Sequence, residues 1–248
     1  MSKTVAKAVH VLDSLAAAPK TIAELARELG VHSSSALRMV QPLADGGLIA
    51  RGPDNRYRLG LRLAELGQQV LDEMDLRVVA RPHLIALAEA TRSTVHLAQL
   101  VDDQIVYVDK IEGATTIRTW SRIGRAVPLH TAAASKAILA ALPAPDRDRL
   151  LDAHTFTRFT ERTITDPAEF REHLEAVERA GYATDQAEFE PLVRCTGVAI
   201  PDATGRLGAA ISLTAVRAAA DRPAVDNPLR RMREAANAIA TALGRPLH

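Results

Sequence analysis

The stretch TIAELARELG, residues 21–30, narrows the local fold more than any other in the chain. Thr21 followed three residues later by Glu24 is a capping box, in which each side chain satisfies a backbone N–H that a helix start would leave unbonded. Ile22, Leu25 and Leu29 then recur on one side of a short helix, and Gly30 supplies the positive φ that ends it. In GVHSSSALRMVQPL a second helix is expected, capped by Ser33 or Ser34, with Ala36, Leu37, Val40 and Leu43 as its apolar side. Pro42 offers no N–H to the Arg38 carbonyl and should bend or loosen the last turn. Two short helices joined by a glycine turn make a helix-turn-helix. Thr4 to Ala17, with Val5, Ala8, Val9, Leu12 and Leu15 on one face, adds a helix before it. LIARGPDNRYRLG adds a strand, a turn and a strand after it, the pattern of a wing.

Such a module suits double-stranded DNA. The second helix of a helix-turn-helix enters the major groove with its N-terminal residues forward. Ser33, Ser34 and Ser35 permit close approach to phosphates and base edges, and Arg38 and Gln41 lie further along as base or phosphate contacts. Arg51, Arg56 and Arg58 on the wing are candidates for phosphates or a minor groove. Serines at a helix start also serve as plain caps, so the reading rests on the series of signals and not on the serines alone. Charge agrees: residues 1–60 hold 8 Lys and Arg against 5 Asp and Glu, while the remainder holds 23 against 25. That excess is too small for a protein that compacts DNA by charge.

Leu61 to Met74 repeats Leu61, Leu63, Leu66, Val70 and Leu71 at helical spacing, a connector. Asp75 to Ala90 reads as a helix with a break or kink at Pro82. From Thr94 the period becomes two: TVHLAQLV and QIVYVDKI form a hairpin across Asp102-Asp103, and Ile117 to Ser121 is expected as another strand. Helices follow over Thr131–Leu142, Asp146–His154 and Pro167–Ala180, the last between an Asp166 cap and Gly181. VRCTGVAI and RLGAAISLTAV pair as a second hairpin, alanine-rich 215–224 reads as solvent-side helix or loop, and Asn227–Leu243 closes the chain as a helix. The expected architecture is α+β: a DNA-binding domain over 1–60, a linker helix over 61–75, and a domain over 76–248 on a mainly antiparallel sheet. No apolar run reaches the roughly 18 residues of a membrane span, and the first twenty residues lack a signal-peptide core. The single cysteine, Cys195, allows no intrachain disulfide, as expected in a reducing cytoplasm.

Over essentially its whole length the chain resembles the IclR-type bacterial transcriptional regulators. The resemblance is carried by TIAELARELGV, SSSALRMVQPLADGGL, RYRLGLRLAELG and RIGRAVPLHTAAASKAILA. It is most specific in GYATDQAEFEPLVRCTGVAIPD, with Gly181, Asp185, Glu188, Cys195 and Gly197 at the family's spacing. Thr196, Pro201, Ser135 and the Pro191-Leu192 pair depart from the family pattern. The resemblance implies an N-terminal winged helix-turn-helix and a C-terminal GAF-like effector domain. It also implies dimers through the DNA-binding domains, often tetramers, acting on palindromic operators, more often as repressors. The implied effector is a small organic acid or aromatic catabolite, in a pocket lined by Ala133, Asp185, Cys195, Ser212 and Thr214. A thiol and two hydroxyls near the helix start at 131–136 suit a carboxylate or hydroxyl.

The competing reading is a thiol-dependent hydrolase with Cys195 as nucleophile, His130 as base and Asp185 as orienter. Against it, no oxyanion turn or nucleophile elbow surrounds Cys195, which lies inside an expected strand. His83 and His96 are far apart and no His/Cys pair has zinc spacing, so neither metal nor cofactor is expected.

Overall fold

The computed structural model describes residues 3–72, 75–113, 121–202, 208–216 and 227–244. They divide into two compact units, 1–74 and 75–248. The first contains α1 (Lys3–Ala17), α2 (Ile22–Glu28), α3 (Ser33–Asp45), the hairpin of β1 (Ile49–Arg51) and β2 (Tyr57–Leu59), and α4 (Leu61–Asp72). The capping box is present: Thr21 N donates to Glu24 Oε2 at 2.7 Å and Glu24 N to Thr21 Oγ1 at 3.3 Å. Gly30 ends α2 region with φ +61°. Val11 and Leu15 of α1 meet Leu25, Val40, Ile49 and Tyr57 in one core, where each buried aliphatic side chain contributes about 1.5–3 kcal/mol.

Two expectations for α3 are corrected. Its N-cap is His32, with no side-chain cap, because Ser33 is already helical. Leu37 is 44 % exposed, since only Ala36 and Val40 of this helix are buried in the core. The helix continues past Pro42 to Asp45. In the wing Ile49 pairs with Leu59 and Arg51 with Tyr57, and Tyr57 also exchanges backbone hydrogen bonds with Lys20. Asn55 takes the left-handed turn position at φ +58°.

The second unit is built on an antiparallel sheet ordered β4-β3-β7-β6-β5. Its strands are β3 (Thr94–Val101), β4 (Gln104–Ile111), β5 (Ala183–Gln186), β6 (Val193–Ala199) and β7 (Ala209–Val216). One face carries α6 (Ala133–Ala141), against which α8 (Pro167–Ala180) packs, with α7 (Ala144–Asp152) between them in sequence. The core of this side joins Ala98, Ile105, Ala183 and Ala210 of the sheet to Ile138, Leu139, Leu150, Phe170 and Leu174. α5 (Asp75–Thr91) and α9 (Pro228–Ala242) pack on each other and on the sheet. Of the break or kink expected at Pro82, the break does not occur: α5 runs on from Asp75 to Thr91. The Asp166 cap and Gly181, at φ +68°, bracket α8 as expected.

β5 has no counterpart among the expected strands. Most of the strand expected at Ile117–Ser121 lies outside the described residues, and Ser121 itself is not in a strand. Ala215 and Val216 belong to β7, not to a helix or loop, and the rest of the alanine-rich stretch to 224 lies outside the described residues. Among the described residues no helix is long and apolar enough to cross a membrane.

Candidate functional site

The outer face of α3 is built from the residues its core does not use. With Ala36 and Val40 turned inward, Ser33, Ser34, Ser35, Leu37, Arg38 and Gln41 are exposed. No side chain caps the first turn of the helix, so its leading N–H groups remain available to an anion. Gln41 Nε2 donates to Asp45 Oδ1 at 2.7 Å. The wing arginines differ from one another. Arg51 lies over the Tyr57 ring at 6.0 Å, and Arg58 pairs with Asp54 at 3.0 Å. Arg56 turns back toward α2, where its guanidinium donates to Glu24 and to the Pro19 carbonyl, each at 3.0 Å. Arg56 therefore ties the wing to the capping box, a role the sequence reading missed.

The second site follows from strand register. Paired residues of an antiparallel sheet share a face, and alternate residues along each strand do too. One rung carries Asp185, Cys195, Thr214 and Thr94, and another carries Ala183, Gly197, Ser212, His96 and Lys110. The start of α6 lies over these rungs. A Cβ on Gly197 would fall 2.4 Å from the Ala133 carbonyl oxygen, so only glycine lets the helix approach this closely. Between them is a cavity of about 50 Å³ whose lining includes all five residues expected there: Ala133, Asp185, Cys195, Ser212 and Thr214.

His96, Tyr107, Arg125, Phe189 and Glu190 also line the cavity, and the sequence reading did not assign them to it. His96 Nε2 and Ser121 Oγ are 2.7 Å apart, its Nδ1 lies 3.5 Å from Thr214 Oγ1, and its ring stands against Tyr107 at 4.9 Å. Burial, helped by the Lys110 charge, pushes His96 down to about 3. Burial raises Asp185 to about 6, the nearby Glu188 charge adding to it, while a hydrogen bond from Glu188 N to Asp185 Oδ1 at 2.8 Å works the other way. Beside Asp185 runs a buried ion pair, with Lys136 Nζ 2.7 and 2.9 Å from the two Glu188 oxygens.

The hydrolase constellation is not assembled. Burial pushes the Cys195 thiol up to about 12, and its polar neighbour is Thr214 Oγ1 at 3.4 Å. His130 uses both ring nitrogens elsewhere: Nε2 donates to the Thr157 carbonyl at 2.9 Å, leaving Nδ1 to accept from His154 Nε2 at 2.8 Å. A larger cleft, about 670 Å³, lies among α6, α8, α9 and the ends of β6 and β7. Ala137, Ile138, Val198 and Ile200 supply much of its wall, and it lacks the convergence of buried titratable and hydroxyl groups found under α6.

Known proteins are similar to this chain along both units. Residues 4–53 match the IclR helix-turn-helix domain, and residues 68–241 match the bacterial transcriptional regulator IclR C-terminal domain. The HTH-type transcriptional regulator XynR of Escherichia coli is 32% identical over 247 residues, covering 98% of each chain. The crystal structure of the Thermotoga maritima IclR superposes with a TM-score of 0.82 at 31% identity, over 98% of this chain and 100% of that one. An IclR homolog from Microbacterium hydrocarbonoxydans, solved in complex with 4-hydroxybenzoate, gives 0.80 at 26% identity, over 97% and 99%. With a helix-turn-helix in the first unit and the matching C-terminal domain in the second, the chain belongs to the IclR family of DNA-binding transcriptional regulators.

Proposed function

We propose that this regulator binds a palindromic operator as a dimer, through α3 and the wing, and that a small organic acid under α6 controls the binding. The observation that carries the DNA half is the uncapped start of α3 beside an exposed face of short hydroxyls, Leu37, Arg38 and Gln41. Ser33, Ser34 and Ser35 approach the backbone and base edges, Arg38 and Gln41 read bases, and Leu37 offers an apolar contact to a thymine methyl. Arg51 serves the phosphates or minor groove more readily than Arg56 and Arg58, which Glu24 and Asp54 already hold.

A second copy of the chain accounts for α4. On this helix Leu66 and Val70, four residues apart on one side, are 36% and 61% exposed, and on α1 Val5 and Val9 are 60% and 54% exposed. Apolar stripes of this kind need a partner. Dimers place two recognition helices in major grooves about 34 Å apart. Occupying a promoter in this way would block it, so we read the protein as a repressor, acting in the cytoplasm. Tetramers through the second unit remain part of this reading.

Selecting binding sites from random duplex DNA tests the proposal. Palindromes with half-sites one helical turn apart are expected. Arg38→Ala should then lower affinity by about 1–3 kcal/mol, roughly fivefold to 150-fold, and relax preference at one base pair in each half-site. Unchanged affinity and base preference would overturn the assignment of Arg38.

The antiparallel sheet with helices on both faces and a polar cavity under one of them supports a GAF-like sensor. Ala133, Asp185, Cys195, Ser212 and Thr214, with His96 and Arg125, supply donors, hydroxyls and a cation for an organic acid or aromatic catabolite. At about 50 Å³ the cavity is far smaller than the roughly 300–1,000 Å³ of ordinary ligand sites, so binding must move its walls.

Asp185 gives the site a pH dependence. Above about pH 6 its carboxylate repels an acid ligand, and below that value the neutral carboxyl donates a hydrogen bond. Affinity for 4-hydroxybenzoate, used as the probe, should rise by up to about tenfold per pH unit as pH falls from 7.5 to 5.5. Titration calorimetry on Asp185→Asn should lose that slope. A wild-type affinity that does not change with pH would remove Asp185 from the ligand contacts. Fold stability responds to pH through both buried groups, with opposite signs. Asp185 takes up its proton preferentially in the folded state, so it adds stability as pH falls from about 6 toward 3.8. His96 is held neutral in the fold, so it loses stability as pH falls below 6.5.

A further inference from the structure

Tyr107 and Asp109 are two residues apart on β4, yet they serve opposite faces of the sheet. In a regular strand such residues share a face. Here Ala98 pairs with Tyr107 and Leu97 with Asp109, so Val108 is the extra residue of a β-bulge. Tyr107 lines the cavity. Asp109 is fully buried and faces α5, where Arg81 Nη1 donates to both of its oxygens at 2.7 Å and Arg77 Nε lies 3.8 Å away. Both arginines belong to α5, the helix that follows α4 in the chain. β4 is one of the two edge strands, paired as a strand with β3 alone, and on its outer side Tyr107 N donates to the Arg125 carbonyl at 3.2 Å and Gly124 N to the Tyr107 carbonyl at 2.8 Å.

We propose that Asp109 is a positioning residue that couples the effector cavity to α5, the bulge at Val108 turning displacement of Tyr107 into displacement of the Arg77–Arg81 clamp. The proposal rests on the cavity being the effector site and supplies that site with an output. A ligand larger than the cavity must move a wall, and Tyr107 lines it from a strand backed on its outer side by the 124–127 segment and not by another strand. The bulged residue has no ladder partner to hold it in place. On the far face, a buried carboxylate cannot part from its guanidinium partners without losing the attraction that offsets its desolvation. α5 therefore follows Asp109, and α5 is where the chain enters the second unit.

Amide hydrogen exchange on the full-length protein tests this without any metabolite. Cys195→Met puts two more heavy atoms into the cavity and so fills it permanently. In the otherwise native chain it should change exchange across residues 75–91 by about fivefold or more. In an Asp109→Asn background the same substitution should change it by less than about twofold. Arg81→Gln, at a half-exposed position, provides the same comparison should Asp109→Asn fail to fold. A residue that merely stabilised the unit would shift both backgrounds alike. Equal changes in the two backgrounds, or no change in α5 when exchange in β6 and β7 reports a filled cavity, would overturn the coupling. A metabolite screen that finds no ligand would count against the effector reading and would leave this comparison intact.

Discussion

Replacing Lys136 with methionine is expected to cost the second unit about 3–5 kcal/mol, the penalty of leaving a buried charge without its partner. Lys136 is fully buried, and Glu188, its partner, is 5% exposed. Glu188 is also the centre of the turn between β5 and β6. Its N–H donates to Asp185, its carbonyl accepts from Thr163 Oγ1 at 2.7 Å, and its Oε1 accepts from Gln186 N at 3.3 Å. These bonds hold Ala187 at φ +67°, a left-handed conformation that a residue with a Cβ rarely adopts. Methionine keeps the length of the lysine stem and removes only the ammonium, so packing is nearly preserved while the carboxylate is stranded. Urea denaturation should show a lower midpoint at an unchanged slope. The double variant Lys136→Met with Glu188→Leu should recover most of the loss, because replacing both charges by apolar groups of similar size is often neutral. A loss in the single variant below about 1 kcal/mol would mean that the pair is no more costly to break than a surface ion pair.

That ion pair marks a boundary of what the sequence makes legible. Local devices read correctly because their physics is local. Thr21 and Glu24, Gly30, Asp166 and Gly181 each act within one helical turn, and the β3–β4 hairpin announces itself through a change of period and an Asp-Asp turn. The four residues of β5 were missed because so short a segment, ATDQ, shows no alternation to detect. The α3 cap slipped by one residue because Ser33 and Ser34 are both competent caps, and nothing local decides between capping and joining the helix. Leu37 looked like core by its spacing, and only the arrangement of α1 and the wing leaves that side of α3 uncovered. All five cavity residues expected from the family resemblance line the cavity. His96 and Tyr107 could not be added to them without the register of four strands and the position of one bulge. Lys136 and Glu188 stand 52 residues apart, and no local rule connects them.

The cavity also depends on a missing atom, and adding that atom should disturb the site more than the fold. In Gly197→Ala the new Cβ would lie 2.4 Å from Ala133 O, 2.6 Å from Ala133 C and 3.0 Å from Ala134 N. All three are backbone atoms, so no rotamer change relieves the contact. α6 cannot retreat easily, because every residue from Ala133 to Ala140 is buried against the sheet or α8. Overpacking of this kind costs about 1–3 kcal/mol, and in a unit of this size each kcal/mol lowers the melting temperature by roughly 2–4 °C. The functional loss should exceed the loss of stability. Ala132, Ala133 and Ala134 form one wall of the cavity, while Cys195, Ser212 and Thr214 form the opposite one. Any outward shift of α6 separates the groups meant to hold one ligand. Ser212→Ala, at the residue paired with Gly197, removes a hydroxyl without adding volume and should leave the melting temperature nearly unchanged. If Gly197→Ala melts like the native protein, then α6 is not seated as tightly on β6 as the contact between Gly197 and Ala133 requires, and the cavity walls are set by something else.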